Sequence, residues 1–281
     1  MVSINFTKMQ GLGNDFIVLE YDEYKKTNMV FSNLAEKLCN RNFGIGADGL
    51  IVLNPDVEDA DFAWHFYNSD GTKAQMCGNG MRCFAKYLHD KKYATQNTFS
   101  VKTEAGIIIP EIIDEDHVRV NMNKPILECE KIPFKALANL NYVYEVDNKK
   151  FLLNAISMGN PHCIIFVQEN SEEYAKKYGR TIETAEIFPE KTHVEFVEIV
   201  SDKEIVLNVW ERGCGITLAC GTGACAGVVA GILNGFLSNE VLVHLPGGDL
   251  KINWDGNSQN TDFPVFMTGP AEYAFTGTIS I

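Results

Sequence analysis

Two short motifs hold the residues best suited to chemistry: Cys77-Gly78-Asn79-Gly80 and Cys220-Gly221-Thr222-Gly223. They stand about half the 281-residue chain apart. Each opens a stretch with helical spacing. A cysteine at a helix N-terminus meets the positive end of the macrodipole and a set of free backbone N–H groups. Both favour the thiolate and make the sulfur reactive. The flanking glycines let a ligand approach the backbone, and the same N–H groups receive a carboxylate. One such unit suits a nucleophile. Two of them, facing each other across a cleft, suit inversion of a stereocentre. One sulfur takes a proton from one face of a carbon and the other returns a proton to the opposite face. One must begin as thiolate and the other as thiol.

The elements that position these motifs repeat as well. Nine residues before each cysteine a polar residue, Asn68 or Glu211, ends an alternating strand. A second matched pair, Gly13-Asn14 and Gly159-Asn160, precedes an apolar run in each half. Period-2 alternation marks strands at 61–67, 117–122, 194–200 and 204–210, and the run 163–167 suggests a strand buried on both faces. Helical spacing is confined to 32–41, where Ser32 is positioned to cap, 78–89, and the more apolar 221–236, expected to be a central buried helix. The expected class is α+β, with two pseudo-symmetric halves spanning 1–121 plus 266–281 and 122–265.

Composition narrows the partners. Lys and Arg number 24 against 37 Asp and Glu, a net charge of −13. A chain this acidic repels phosphate backbones and anionic bilayers, so neither nucleic acid nor membrane is expected. The first ten residues, MVSINFTKMQ, lack the apolar core of a secretory signal, which gives a cytoplasmic expectation. The 8 cysteines form no C-x-x-C and no zinc-finger spacing, so reduced thiols and no metal are expected. Cys39, Cys83, Cys129, Cys163, Cys214 and Cys225 lack a helix-start context and read as packing residues.

The stretches GLGNDF (11–16), NSDGTKAQMCGNGMRC (68–83), SMGNPHC (157–163), ERGCGITLACGTGACA (211–226) and LPGG (245–248) resemble the diaminopimelate epimerase family, in family order. The resemblance implies a cofactor-independent epimerase that converts LL-diaminopimelate to the meso form for lysine and peptidoglycan synthesis. It implies two halves, each a curled, mostly antiparallel sheet around a central helix. The active site would lie in the cleft between them, the C-terminal strand would return to the first half, and the protein would be a homodimer. Cys77 and Cys220 match the two catalytic cysteines, and His162 and Glu211 the residues that assist them. An imidazole beside a thiol can accept its proton. Glu211 could do the same or hold the substrate ammonium; which sulfur each serves stays open. Asn14, Asn68, Asn79 and Asn160 match substrate contacts, Arg212 the partner of the distal carboxylate. Gly78, Gly221 and Thr222 match backbone donors to the carboxylate at the reacting carbon.

Two positions depart from the family pattern. His193 stands where the family usually has an Asn that touches the distal end of the substrate, and Ile216 where Glu is common. Diaminopimelate remains the expected substrate, with lanthionine, histidine or another amino acid as the alternative. Gly44-Ile-Gly-Ala-Asp-Gly49 matches G-x-G-x-x-G, but it follows a helix and precedes a strand, the reverse of a dinucleotide fingerprint, so a tight turn is expected. A cysteine hydrolase built on Cys and His162 would need only one sulfur. Proline racemase-like enzymes carry His where Asn79 stands.

Overall fold

Alternating strands and the turns between them lay down most of the chain. The computed structural model describes residues 2–55, 57–74 and 76–281. They divide into two units, Met1–Val120 with Thr268–Ile281, and Asn121–Met267.

The first unit runs β1 (Ser3–Gly11), β2 (Asn14–Leu19), α1 (Tyr21–Lys26), α2 (Phe31–Cys39), β3 (Gly49–Asn54), β4 (Phe62–Asn68), α3 (Gly78–Asp90), β5 (Val101–Thr103), β6 (Gly106–Ile108), β7 (Pro110–Ile112) and β8 (His117–Asn121). Its main sheet has seven strands, ordered from the C-terminal strand Glu272–Ser280 through β1, β2, β3, β4 and β5 to β6. The backbones of Val2 and Ile281 exchange hydrogen bonds at 3.1 and 2.9 Å, so residues from both ends of the chain close one edge.

The second unit runs β9 (Tyr142–Val146), β10 (Lys149–Ser157), β11 (Pro161–Val167), α4 (Ser171–Glu183), β12 (His193–Ser201), β13 (Glu204–Glu211), β14 (Gly215–Ile216), α5 (Gly221–Leu233), β15 (Glu240–Leu245), β16 (Gly248–Trp254) and β17 (Val265–Pro270), before β18 (Glu272–Ser280). Its strands lie in the order β17, β16, β15, β13, β12, β11, β10, β9, with β14 on β13.

The same series of pairings builds both sheets. In the first unit β1–β2 is antiparallel, β2–β3 parallel, β3–β4 antiparallel, β4–β5 parallel and β5–β6 antiparallel. In the second, β10–β11, β11–β12, β12–β13, β13–β15 and β15–β16 follow in the same alternation. Each parallel step needs a crossover, and a helix supplies it. Helix α2 buries Leu34, Ala35 and Leu38 with Ile17, Leu19, Leu50 and Val52 of β2 and β3. Helix α4 does the same for β11 and β12 through Ala175, Tyr178 and Ile182 beside Cys163, Ile165, Val194 and Phe196. The opposite side chains of these strands meet the cysteine-bearing helices, Phe16 and Ile51 against α3 and Val197 against α5. Strands covered on both faces read as continuous apolar runs rather than alternations.

The fold is α+β, with several differences in detail from the sequence reading. Ser32 lies inside α2, whose N-cap is Val30 with no side-chain cap. Helix α5 stops at Leu233, where Asn234 caps it and Gly235 turns left-handed at φ +73°. Helices α1 and α4 have no counterpart among the expected helices. The buried apolar stripe of α4, Ala175, Tyr178 and Ile182, shares the helix with six charged residues that dilute its apolar signal. The 44–49 segment is the expected tight turn. The N–H groups of Ile45 and Gly46 fold back onto the Leu38 carbonyl at 2.8 and 3.0 Å, and Gly46 has φ +82°. Cys39, Cys83, Cys163 and Cys225 are buried, but Cys214 is exposed, because it sits on the turn between β13 and β14 rather than in a packed element. Among the described residues no helix is long and apolar enough to cross a membrane.

Candidate functional site

Cys77 is the N-cap of α3, with extended backbone (φ −141°, ψ 118°), and its sulfur accepts a hydrogen bond from the Gly80 N–H at 3.5 Å. The helix begins here because the Cys77 sulfur satisfies the Gly80 N–H, one of the first-turn donors that lack a partner within the helix. The Cys77 thiol donates to Asn14 Oδ1 at 3.6 Å, and Asn79 Nδ2 donates to the same oxygen at 3.2 Å. Asn14 follows the β1–β2 turn, in which Leu12 and Gly13 are left-handed. Its own amide donates to Asp48 Oδ2 at 2.7 Å. Asp48 and Asp15 share Arg41, each 2.8 Å from the guanidinium, and Lys8 pairs with Asp15 at 2.8 Å. Burial opposes ionisation of Asp15, but hydrogen bonds from Arg41 and Lys8 win and hold its carboxyl down to about 2. This charged scaffold fixes the turn that carries Asn14. Asn79 is buried and its Oδ1 has no hydrogen-bond partner. Asn68, at the end of β4, is exposed and its amide donates to Thr72 Oγ1 at 3.0 Å, within its own loop.

Cys220 caps α5 in the same way (φ −123°, ψ 105°), accepting from the Gly223 N–H at 3.4 Å. Its sulfur lies 3.5 Å from Thr222 Oγ1. Burial, then Glu211 and Glu195, push its thiol pKa well up. The surrounding side chains form one connected set. Asn160 Nδ2 donates to Thr222 Oγ1 at 3.3 Å and contacts His193 Nε2 at 3.1 Å. Asn160 Oδ1 lies 3.1 Å from His162 Nε2, and His162 Nδ1 lies 2.7 Å from Glu195 Oε1. The two imidazoles stack with centroids 4.7 Å apart, at paired positions of β11 and β12. The Arg212 backbone N–H donates to His193 Nδ1 at 3.4 Å, and its Nη1 donates to the Glu190 carbonyl at 3.2 Å. Glu211 accepts from Thr217 Oγ1, and its other oxygen lies 3.8 Å from His193 Nδ1.

Burial dominates the protonation of this set. It lowers His162 to about 3, helped by the charge of Arg212, and His193 to about 2, helped by His162 and Arg212. It raises Glu195 well above the usual carboxylate range. Both imidazoles are therefore neutral at neutral pH, and burial favours the protonated form of Glu195. An amide oxygen only accepts, so the His162 proton is assigned to Nε2, facing Asn160 Oδ1, and Nδ1 accepts from Glu195. Glu195 Oε2 is buried without a hydrogen-bond partner.

The second unit thus brings together Cys220, Asn160, His162, His193, Glu211, Arg212 and Thr222, and the first brings together Cys77, Gly78, Asn79 and Asn14. Asn68 is set apart by its bond to Thr72. Glu195 was not singled out from the sequence. It lies in an alternating stretch, where Glu reads as a solvent-facing residue, yet its exposure is 0%. The usable signal was its place two residues after His193, on the same face of β12.

A family model described as diaminopimelate epimerase matches residues 6–128 and 154–274. The diaminopimelate epimerase of Halothermothrix orenii is 50% identical over 289 positions, covering 100% of this chain and 99% of that protein. That of Carboxydothermus hydrogenoformans is 50% identical over 278 positions, covering 98% of each. Among solved structures, the Bacillus anthracis phenazine biosynthesis protein of the PhzF family aligns over 100% of both chains, with a TM-score of 0.72 at 16% identity. A hydroxyproline epimerase from Agrobacterium vitis aligns over 99% of this chain and 91% of its own, with a TM-score of 0.67 at 13% identity. At such identities the structural matches speak for the fold alone.

Proposed function

Because the chain belongs to the diaminopimelate epimerase family, we propose that it inverts the α-carbon of LL-diaminopimelate to give the meso isomer, with Cys77 and Cys220 exchanging the roles of base and acid. The observation that carries this reading is the duplicated cap: each cysteine opens a thirteen-residue helix and accepts a hydrogen bond from the N–H three residues on. In the forward direction one thiolate removes the α-proton and the other thiol delivers one to the opposite face. The backbone donors of Gly78, Gly221 and Thr222 oppose the charge that builds on the α-carboxylate. Preorganised donors of this kind are worth about 3 kcal/mol each in other enzymes. Asn14, Asn79 and Asn160 contact the substrate, joined by Asn68 once its amide leaves Thr72, and Arg212 takes the distal carboxylate with its planar fork. His162 assists Cys220 by taking a proton on Nδ1 once Glu195 turns its own proton away from that nitrogen, and Glu211, beside His193, holds the substrate ammonium.

The same reading makes the protein a homodimer that uses no pyridoxal phosphate and acts in lysine and peptidoglycan synthesis. Turnover in deuterated water tests it. The product should gain α-deuterium, and LL-diaminopimelate should outrun lanthionine and histidine in initial rate. No α-exchange would refute the proton-transfer scheme. A faster rate on another amino acid would move the substrate while keeping the chemistry. His193, stacked on His162 where an Asn was expected, is the feature that favours such a shift.

A further inference from the structure

His162, His193 and Cys220 are all buried and offer two imidazole nitrogens and a sulfur within 4.8 Å of one another. Neutral imidazole and thiolate are the donors that zinc prefers, at about 2.0–2.1 Å for nitrogen and about 2.3 Å for sulfur. Around one tetrahedral ion those lengths put the donors roughly 3.5 Å apart, so the cluster must tighten by up to about 1.3 Å. The Asn160 carboxamide lies against both imidazoles, 3.1 Å from each Nε2. Metal binding therefore requires the Asn160 amide to give up its contacts with both imidazoles. Behind His162, Glu195 sits 2.7 Å from Nδ1. A carboxylate on the far nitrogen of a ligating histidine is the usual outer partner of such a metal site.

We propose that His162, His193 and Cys220 form a reversible zinc(II) site, and that its occupancy withholds the Cys220 sulfur from proton transfer. The inhibitory consequence rests on the epimerase reading; the binding does not. Binding makes two zinc–nitrogen bonds and one zinc–sulfur bond, with water completing the fourth position. Two protons leave. One comes from the Cys220 thiol. The other comes from His162 Nε2, while the Glu195 proton passes to Nδ1 and leaves a carboxylate. The thiolate and that carboxylate together balance the two charges of the ion.

Cobalt(II) titrated into chelator-stripped protein, kept reduced with a phosphine, tests this without substrate. One equivalent should bind, with a near-ultraviolet thiolate-to-cobalt band and the strong visible bands of a tetrahedral centre, and zinc should displace it. His193→Asn, which installs the residue common in the family, should weaken binding at least tenfold. Cys220→Ser should erase the near-ultraviolet band. His244→Gln should change neither, although His244 lies between two carboxylates at 2.7 and 2.8 Å and is the competing histidine cluster. Binding without a thiolate band, binding indifferent to His193→Asn, or binding lost in His244→Gln would each overturn the proposal. With the site confirmed, micromolar zinc should arrest α-deuterium incorporation and a chelator should restore it. Failure to incorporate deuterium without metal would instead count against the epimerase reading.

Discussion

Behind Cys77, the third residue of the helix, Gly80, faces Phe16 and Ile51, whose carbons lie 3.4 Å from where a Cβ would sit. Behind Cys220, the matching Gly223 faces Glu195 Oε1 at 2.6 Å. The strand registers make the correspondence strict. Phe16 comes two residues after Asn14 and pairs with Gly49; His162 comes two after Asn160 and pairs with His193. Ile51 and Glu195 each lie two residues further along the partner strand. One backbone plan therefore carries a hydrocarbon floor under one sulfur and an acid–imidazole floor under the other. The cap geometry is common to both, so it cannot be what separates their proton chemistry. Among the described residues, the second sulfur stands beside His162, His193 and Glu195, where burial pushes both imidazoles down and the carboxyl up, toward their neutral forms.

The largest test removes the feature the units share. Cys77→Ala and Cys220→Ala should each lower kcat by about 10²–10⁴-fold, the worth of a positioned proton-transfer group, in both reaction directions. Appreciable epimerisation by either variant would break the pairing of the two sulfurs. The next test erases the difference. His162→Phe, which makes the second floor resemble the first, or Glu195→Gln, which removes its ionisable acid, should lower kcat by about 10–100-fold with KM little changed, as partners acting through another group do. Loss confined to stability would reduce these residues to packing.

A smaller effect reads the floors through stability. Gly80→Ala should shift stability by about 1 kcal/mol or less in chemical denaturation. Gly223→Ala, which drives a methyl into the Glu195 carboxyl, should cost about 1–3 kcal/mol. Equal costs would mean that the floors are equally yielding. The gentlest test uses pH. The folded protein holds His193 at about 2, so the unfolded chain binds the extra proton as pH falls below about 6.5. Stability that is present above that value is lost on acidification, by up to about 1.4 kcal/mol per pH unit for one such histidine. His193→Asn should flatten the melting-temperature profile between pH 6.5 and 4, and an unchanged slope would show that His193 is not held neutral.

Much of this arrangement is legible in sequence because it rests on local rules. Cysteine followed by Gly-x-Gly at the start of a helical pattern is a cap signal that needs no tertiary knowledge. The polar residues ending β4 and β13, Asn68 and Glu211, mark where a strand meets a loop. What stays hidden depends on what covers a strand. Glu195 alternates with Val194 and Phe196 as an exposed residue would, but α4 covers one face of β12 and α5 the other. Helix α4 is hard to read because its turn of Glu and Lys residues outweighs three buried positions. The bond from Asn68 to Thr72 depends on how the loop after β4 folds back.

The closing of the first sheet by β18 fixes an order of events at the ribosome. Residues 121–267 form one continuous stretch and can finish folding as soon as they emerge. The first unit, although made earlier, waits for Thr268–Ile281 before β1, already paired with β2, gains its second neighbour. Until then a nascent chain offers a bare strand, with Ile4, Phe6 and Met9 not yet sealed, for as long as the second unit takes to be translated. The part of the protein synthesised first is therefore the part completed last, and the interval between them is when a chaperone has most to hold.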